Sequence, residues 1–402
     1  MSSSLIVPVC RIKNNREHPN ASLLGICDVL GYQMVVPLKE APDGPIARYF
    51  KKNMVDDKGK KIPTNQDDPE AEVINLDFMY PEDKLVVYFP FDTILSSEWA
   101  CKFGVQSLLK GANNDRVGKI KLRGEPSFGL VVDIPEGVDW QEGTNVADYY
   151  GAIKYEPPVR QICGDAHYAD PDIDPFFEKF TDVQNGRIYT DIFEDGEEII
   201  ATEKLHGCNG KVALINNNYV AGSMNHRRKR PVRMEGENVI ECSFDDKEMK
   251  ENIYWFPWTV STVRTMMESI KNMGNIVLYG EIYGGSIQSL TYGIPKGKGL
   301  GFRAFGLTVN GKYMDWDDFE STCKKYGVDI VPVIYRGPFS MAIAKQHANG
   351  KTTLTKDGQI REGVVCYPVK ERTNSRIGRC ILKYISDEYL LSKHQDNDTK
   401  DI

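Results

Sequence analysis

Residues 201–214 read ATEKLHGCNGKVAL. A β-prone run ends at one lysine, Lys204, and a histidine, two glycines and an asparagine follow it within six residues. Taken alone, the pattern has a plain explanation. A lysine at a strand end is usually solvated, and a K-x-H-G match arises often by chance. What the amine is for depends on what stands around it, and in what order.

The whole chain sets the bounds. Its 402 residues exceed one ordinary core, so two domains are expected. A hydrophobic content of 41% with 27% charged residues describes a soluble globular protein. No apolar run is long enough to cross a bilayer. The N-terminus, MSSSLIVPVCRIKNN, lacks a basic leader and meets Arg11 too early for a signal peptide. Nine cysteines without a C-x-x-C point to reduced thiols and a cytoplasmic or other reducing compartment. The net charge of −7 weighs against a chain coated in nucleic acid but leaves room for a local basic groove. One basic cluster, HRRKRPVR at 226–233, has the plainer reading of a solvated run.

Upstream of the lysine the chain reads as β. SLIVPVCRI (4–12), LLGICDVLGYQMVVP (23–37), DKLVVYFPFDTIL (83–95) and GKIKLRGEPSFGLVVDIP (118–135) are β-branched, aromatic runs between turn residues. Gly31, Gly124 and Gly129 interrupt them in the manner of bulges or barrel corners. This suits a small Greek-key barrel such as an OB-fold over residues 1–155. Residues 53–72 read as a loop excursion. The acidic, proline-punctuated stretch 156–176 reads as a linker.

From 177 to 402 the pattern becomes α+β with antiparallel sheets. EEIIATEKL (197–205) is a strand ending at the lysine, and KVALINNNYVAGS (211–223) a hairpin turning at Asn216–Asn218. Helical material fills 246–274, and NIVLYGEIYGG (275–285) is a buried strand. Residues 302–316 form a hairpin at Asn310-Gly311. WDDFESTCKKYG (316–327) is a helix with an N-cap aspartate and a terminal glycine, and 340–350 repeats that logic. EGVVCYPVK (362–370) and RCILKYIS (379–386) complete the domain.

The ordered set downstream changes the standing of Lys204. EKLHGCN (203–209) resembles motif I of the covalent nucleotidyltransferases, the superfamily of ATP-dependent ligases and capping enzymes. Its histidine and asparagine resemble the nick-sealing RNA ligases in particular, the group like the phage ligase 2. GSMNHRR (222–228) resembles motif Ia, LYGEIYGGSIQSLTYG (278–293) motif III and FRAFGL (302–307) motif IIIa. REGVVCYP (361–368) resembles motif IV and ILKYISDEYLL (381–391) motif V, while FEKFTDV (177–183) resembles the approach to motif I. The order is that of the family. The resemblance implies an adenylation domain, ATP-grasp-like, behind an N-terminal OB domain. Only 19 residues (402 − 383) follow Lys383, too few for the C-terminal OB domain of DNA ligases and capping enzymes.

Residue chemistry runs in the same direction. An amine that attacks the α-phosphorus of ATP must first lose its proton, which lysine does where neighbouring cations or a metal favour the neutral form. Lys204 would then carry AMP as a phosphoramidate. Charge on the non-bridging oxygens calls for fixed cations: Lys383, Arg227 or Arg228, and Mg2+ or Mn2+. Glu362 is the first candidate to hold a hydrated metal, with Asn209 positioning its waters. Glu281 is assigned to the ribose hydroxyls and Phe305 to the adenine face. By the resemblance, Glu203, His206, Gly207 and Ser223 also line the nucleotide site. The family commonly carries a second motif V lysine where this chain has Ile385, a lysine soon after motif IV where it has Tyr367, and Phe-Asp in motif IIIa where it has Phe305-Gly306.

The expected activity is ATP-dependent RNA ligation through lysyl-AMP and an adenylylated 5′ end, in RNA repair. The expected partner is RNA with 3′-OH and 5′-phosphate ends, as a nicked duplex or a broken structured RNA, bound by a monomer without a membrane. Lys119, Lys121 and Arg123 are the nearest candidates for RNA contact in the barrel. A relative that uses GTP or seals DNA, and a non-catalytic RNA-binding protein on a decayed ligase fold, are the alternatives.

Overall fold

Two-residue turns set strand boundaries in the first part of the chain. In the computed structural model, which describes residues 5–57, 59–111, 113–155, 176–224 and 226–392, Leu30 and Gly31 have φ of 51° and 74°. That pair of left-handed residues is the tight hairpin turn whose twist matches its strands, here Leu24–Val29 and Tyr32–Glu40. Arg123 and Gly124, at 50° and 94°, do the same between Lys119–Leu122 and Glu125–Phe128. Gly31 and Gly124 are therefore hairpin corners rather than bulges.

The chain divides into two compact units, Met1–Tyr155 and Glu156–Ile402. The expected linker, 156–176, lies outside the described residues except for Phe176. In the first unit, Leu85–Phe89 is the centre of a three-stranded antiparallel sheet between Val9–Arg11 and Leu130–Val132. A six-stranded antiparallel sheet runs Lys13–Glu17, Leu24–Val29, Tyr32–Glu40, Ala71–Phe78, Ile46–Val55, Lys61–Pro63. Residues 53–72 are thus only partly loop: they hold the end of one strand, all of a second and the start of a third. Their side chains are mostly exposed, which removes the apolar alternation by which a strand is read.

The second unit stacks two sheets. The first, five-stranded, runs Gln184–Asn185, Leu382–Ile385, Gly363–Pro368, Glu198–Lys204, Val333–Pro338. The second, six-stranded, runs Arg227–Arg228, Asn218–Ser223, Cys208–Ile215, Ile276–Tyr283, Gly301–Val309, Lys312–Tyr313. Strand alternation divides the first sheet cleanly. Ile200 and Val365 face the core shared with the second sheet, whereas Ile199, Ala201, Val364 and Tyr384 pack under helix Met341–Ala348.

Helical material at 246–274 breaks into Lys247–Glu251, Phe256–Thr259 and Ser261–Ile270. Asn252 ends the first piece by accepting from the amides of Tyr254 and Trp255. Helix Trp316–Tyr326 ends at Gly327 (φ 70°) as expected, but the expected aspartate cap is not made by its side chain. The Asp315 carboxylate instead accepts from the Glu371 amide at 2.8 Å. The eight described cysteines are free thiols, and no described helix is long and apolar enough to cross a membrane.

Candidate active site

Lys204 is the last residue of its strand and shares the pleat parity of Thr202. Thr202 pairs with Val365, and Val365 with Lys383, so both lysines project from the face turned toward the second sheet. Lys204 itself pairs with Gly363. Glu362, one residue earlier, receives the Lys204 ammonium on Oε1, and its Oε2 lies 3.7 Å from His206 Nδ1. The Glu362 side chain is 6% exposed and that of Lys204 29%. Burial alone pushes the Glu362 carboxyl up. Lys204 and His206 together outweigh it and hold the group below the usual range.

The second sheet brings Asn209 and Glu281 into register as cross-strand partners. Gly207 makes the approach possible. A Cβ there would stand 2.2 Å from the Ile282 carbonyl oxygen and 3.1 Å from Glu281 Oε1, so the Glu281 carboxylate lies directly over the chain that follows Lys204. His206 is buried and locks three segments together. Its amide donates to the Tyr292 hydroxyl at 2.7 Å, Nδ1 meets the Tyr389 hydroxyl at 3.1 Å and Nε2 the Ser289 hydroxyl at 3.3 Å.

Register also separates the two arginines. Arg227 pairs with Gly222, which pairs with Lys211, placing it on the face that carries Asn209 and Glu281. Arg228 pairs with Ala221 on the opposite face, where its guanidinium lies 4.9 Å from the Tyr254 ring centroid. Ser223 pairs with Gly210 on that same opposite face, and its hydroxyl accepts from the His226 amide at 3.2 Å. Its hydroxyl thus serves the turn that presents the arginines.

Glu203 sits on the other face of the Lys204 strand. Alternation turns its side chain away from the Lys204 face, and Oε2 accepts from the Thr353 amide and hydroxyl, both at 3.0 Å. Arg361 Nε stands 3.8 Å away. Phe305 occupies a bulge opposite Tyr279 and Gly280 and packs edge-on against Phe180 with centroids 4.8 Å apart. In the N-terminal unit, Lys121 and Arg123 are exposed, and Lys119 Nζ lies 4.7 Å from the Phe91 ring centroid.

A divalent cation is implied by the motif set, and the donors suit a hydrated one. Among the described residues, no hydrogen-bond partner meets the buried Glu362 Oε2 or Asn209 Oδ1. No group of three or more His, Cys, Asp or Glu side chains is arranged to hold a metal directly among the described residues. The two carboxylate and amide oxygens are of the type that meets a hard cation through its waters.

Sequence reasoning passed over Ser289, Tyr292 and Tyr389, which surround His206, and Lys211. Lys211 is 2% exposed, and its Nζ donates to the carbonyls of Phe177 (2.9 Å) and Glu178 (3.0 Å). Burial draws its pKa down to about 8, against an opposing pull from Glu178. The available signal was a lysine two residues beyond Asn209 in an otherwise apolar strand.

Residues 197–385, somewhat under half of the chain, match the sequence model of the RNA ligase family. The span holds Lys204, Glu281, Glu362 and Lys383. No curated protein sequence matches the chain. Among solved structures, an arginine-to-alanine variant of Naegleria gruberi RNA ligase with ATP and Mn superposes with a TM-score of 0.66 at 19% identity, covering 98% of this chain and 99% of that one. The same enzyme with PPi gives 0.66 at 19% identity over 98% and 99%. An apo aspartate-to-alanine variant gives 0.66 at 20% identity over 99% and 100%. At such identity the likeness is one of fold.

Proposed function

We propose that this chain is an ATP-dependent RNA ligase that joins 3′-OH and 5′-phosphate ends through a lysyl-AMP intermediate. The observation that carries the reading is the Lys204–Glu362 pair at the mouth of two facing sheets, beside the Asn209–Glu281 pair and Lys383, within the span that matches the RNA ligase family.

The amine of Lys204 attacks the α-phosphorus of ATP, the bond to the β-phosphate oxygen breaks, and pyrophosphate departs. Glu362, by accepting the Lys204 hydrogen bond, aims the amine. Lys383 and Arg227 stand on the inner faces where charge grows on the α-phosphate oxygens. Glu281 takes the ribose hydroxyls, and Phe305 the adenine. Glu362 and Asn209 would hold Mg2+ or Mn2+ through water, adding positive charge at the phosphates. AMP then passes to an RNA 5′-phosphate, and the 3′-hydroxyl displaces it to close the phosphodiester.

The N-terminal β unit serves as an OB-type RNA platform in this reading, and repair of broken RNA is the setting. Incubation with α-labelled ATP and Mg2+ or Mn2+ tests it. Wild type should yield a labelled band on a denaturing gel and Lys204→Ala none. Absence of label with ATP and with GTP would remove the reading in favour of a binding protein. Label that transfers only to nicked DNA would move it to a DNA-sealing relative.

A further inference from the structure

Lys211 lies on the same sheet face as the nucleotide-site pair Asn209–Glu281, and it pairs with Tyr279. Two residues of strand separate the pairs, about 7 Å. Its ammonium is spent on main chain: it holds the carbonyls of Phe177 and Glu178 and sits 4.0 Å from the Phe177 ring centroid. The Tyr279 hydroxyl donates to the same Glu178 carbonyl at 3.1 Å.

What these groups hold is a strap that crosses the six-stranded sheet transversely. A Cβ on Gly222 would come within 2.9 Å of the Phe177 ring. Glu178 is tied to Lys211 and Tyr279, on the next two strands. Phe180 packs on Tyr279 (5.1 Å between centroids), Phe305 (4.8 Å) and Tyr313 (5.6 Å). Thr181 donates its amide to the Tyr313 hydroxyl at 3.4 Å. The contacts follow the order of the strands across the sheet. A segment laid across strands cannot use their ladder for its backbone polar groups, so side chains must supply the partners. Lys211 supplies two.

We infer that Lys211 is a positioning residue for the nucleotide site, holding the Phe177–Thr181 strap so that it backs Phe305 and sets the depth of the cleft below Asn209 and Glu281. The inference rests on the reading that this cleft takes ATP. A side chain that only filled space could be replaced by an apolar one of its length at little cost. Here such a replacement keeps the packing but releases the strap.

The test is ATP-dependent self-labelling of the full chain for wild type, Lys211→Met, Lys211→Arg and Tyr279→Phe, with thermal melting in parallel. Lys211→Met should melt earlier than wild type, because two carbonyls lose a charged donor, and below its transition should need about tenfold more ATP for half-maximal labelling rate. Lys211→Arg, which keeps donors for both carbonyls, should recover part of that affinity. Tyr279→Phe should shift the ATP requirement in the same direction by less. A Lys211→Met chain that is folded and labels at the wild-type ATP concentration overturns the inference. So does one whose labelled fraction falls while its ATP requirement stays unchanged, because that is general damage. If wild type itself takes no label, the ATP reading fails and the inference falls with it, an outcome distinct from the other two.

Discussion

Replacing Glu203 separates a structural carboxylate from a nucleotide ligand. Its Oε2 carries two hydrogen bonds from Thr353, and Arg361 Nε approaches it to 3.8 Å, with side-chain exposures of 8% for Arg361 and 0% for Glu203. Glu203→Ala removes both bonds. It also leaves a buried guanidinium whose remaining partners are the carbonyls of His347 and Lys351. Two hydrogen bonds to a charged acceptor contribute about 1.5–3 kcal/mol each, and a buried charge stripped of its partner costs about 3–5 kcal/mol. These describe overlapping losses in one network, so the expected destabilisation is about 3–5 kcal/mol rather than their sum. With a urea slope of roughly 2 kcal/mol/M, the midpoint should fall by about 2 M. Glu203→Gln keeps one acceptor oxygen and should lose about half as much. The assay is urea unfolding followed by the fluorescence of Trp255, Trp258 and Trp316, with the ATP dependence of self-labelling measured below the transition. A Glu203→Ala chain that keeps wild-type stability but needs tenfold more ATP would refute the reasoning. The carboxylate would then be touching nucleotide, and the alternation argument would be wrong.

Gly207→Ala should be more damaging than a one-methyl change suggests, because the obstacle at 2.2 Å is the Ile282 main-chain oxygen, which cannot rotate away. Overpacking of this kind costs about 1–3 kcal/mol, and the displaced Glu281 should raise the ATP requirement for labelling. The arginines should part company. Arg227→Ala should slow labelling with little change in melting, whereas Arg228→Ala should lower the melting temperature through lost stacking on Tyr254, worth about 0.5–2 kcal/mol, with a smaller effect on labelling. Equal effects of the two substitutions on labelling rate would contradict the assignment of faces.

Which residues could be read from the sequence, and which could not, follows from the range of the interaction concerned. The hairpin at Asn216-Asn217 and the helix ending at Gly327 depend on φ values that asparagine and glycine adopt readily, so local sequence suffices. Lys204, Glu281, Glu362 and Lys383 were legible as an ordered set, and the sheets bring Lys204 to Glu362 and Asn209 to Glu281. Side-chain direction was not legible in the same way. A motif names neighbours along the chain, but a strand sends neighbours to opposite faces, so Glu203 and Lys204, or Arg227 and Arg228, cannot share one role. Register alone settles which member of each pair faces the opposing sheet, and register is set by partners 150 or more residues away for Glu203 and Lys204. The strap was hidden for a related reason. Its residues have neither helical nor strand period, because their partners belong to five different strands of a sheet they cross. A transverse segment leaves one trace in the sequence, a polar side chain in an apolar strand that has to satisfy it. Lys211 in CNGKVALI is that trace.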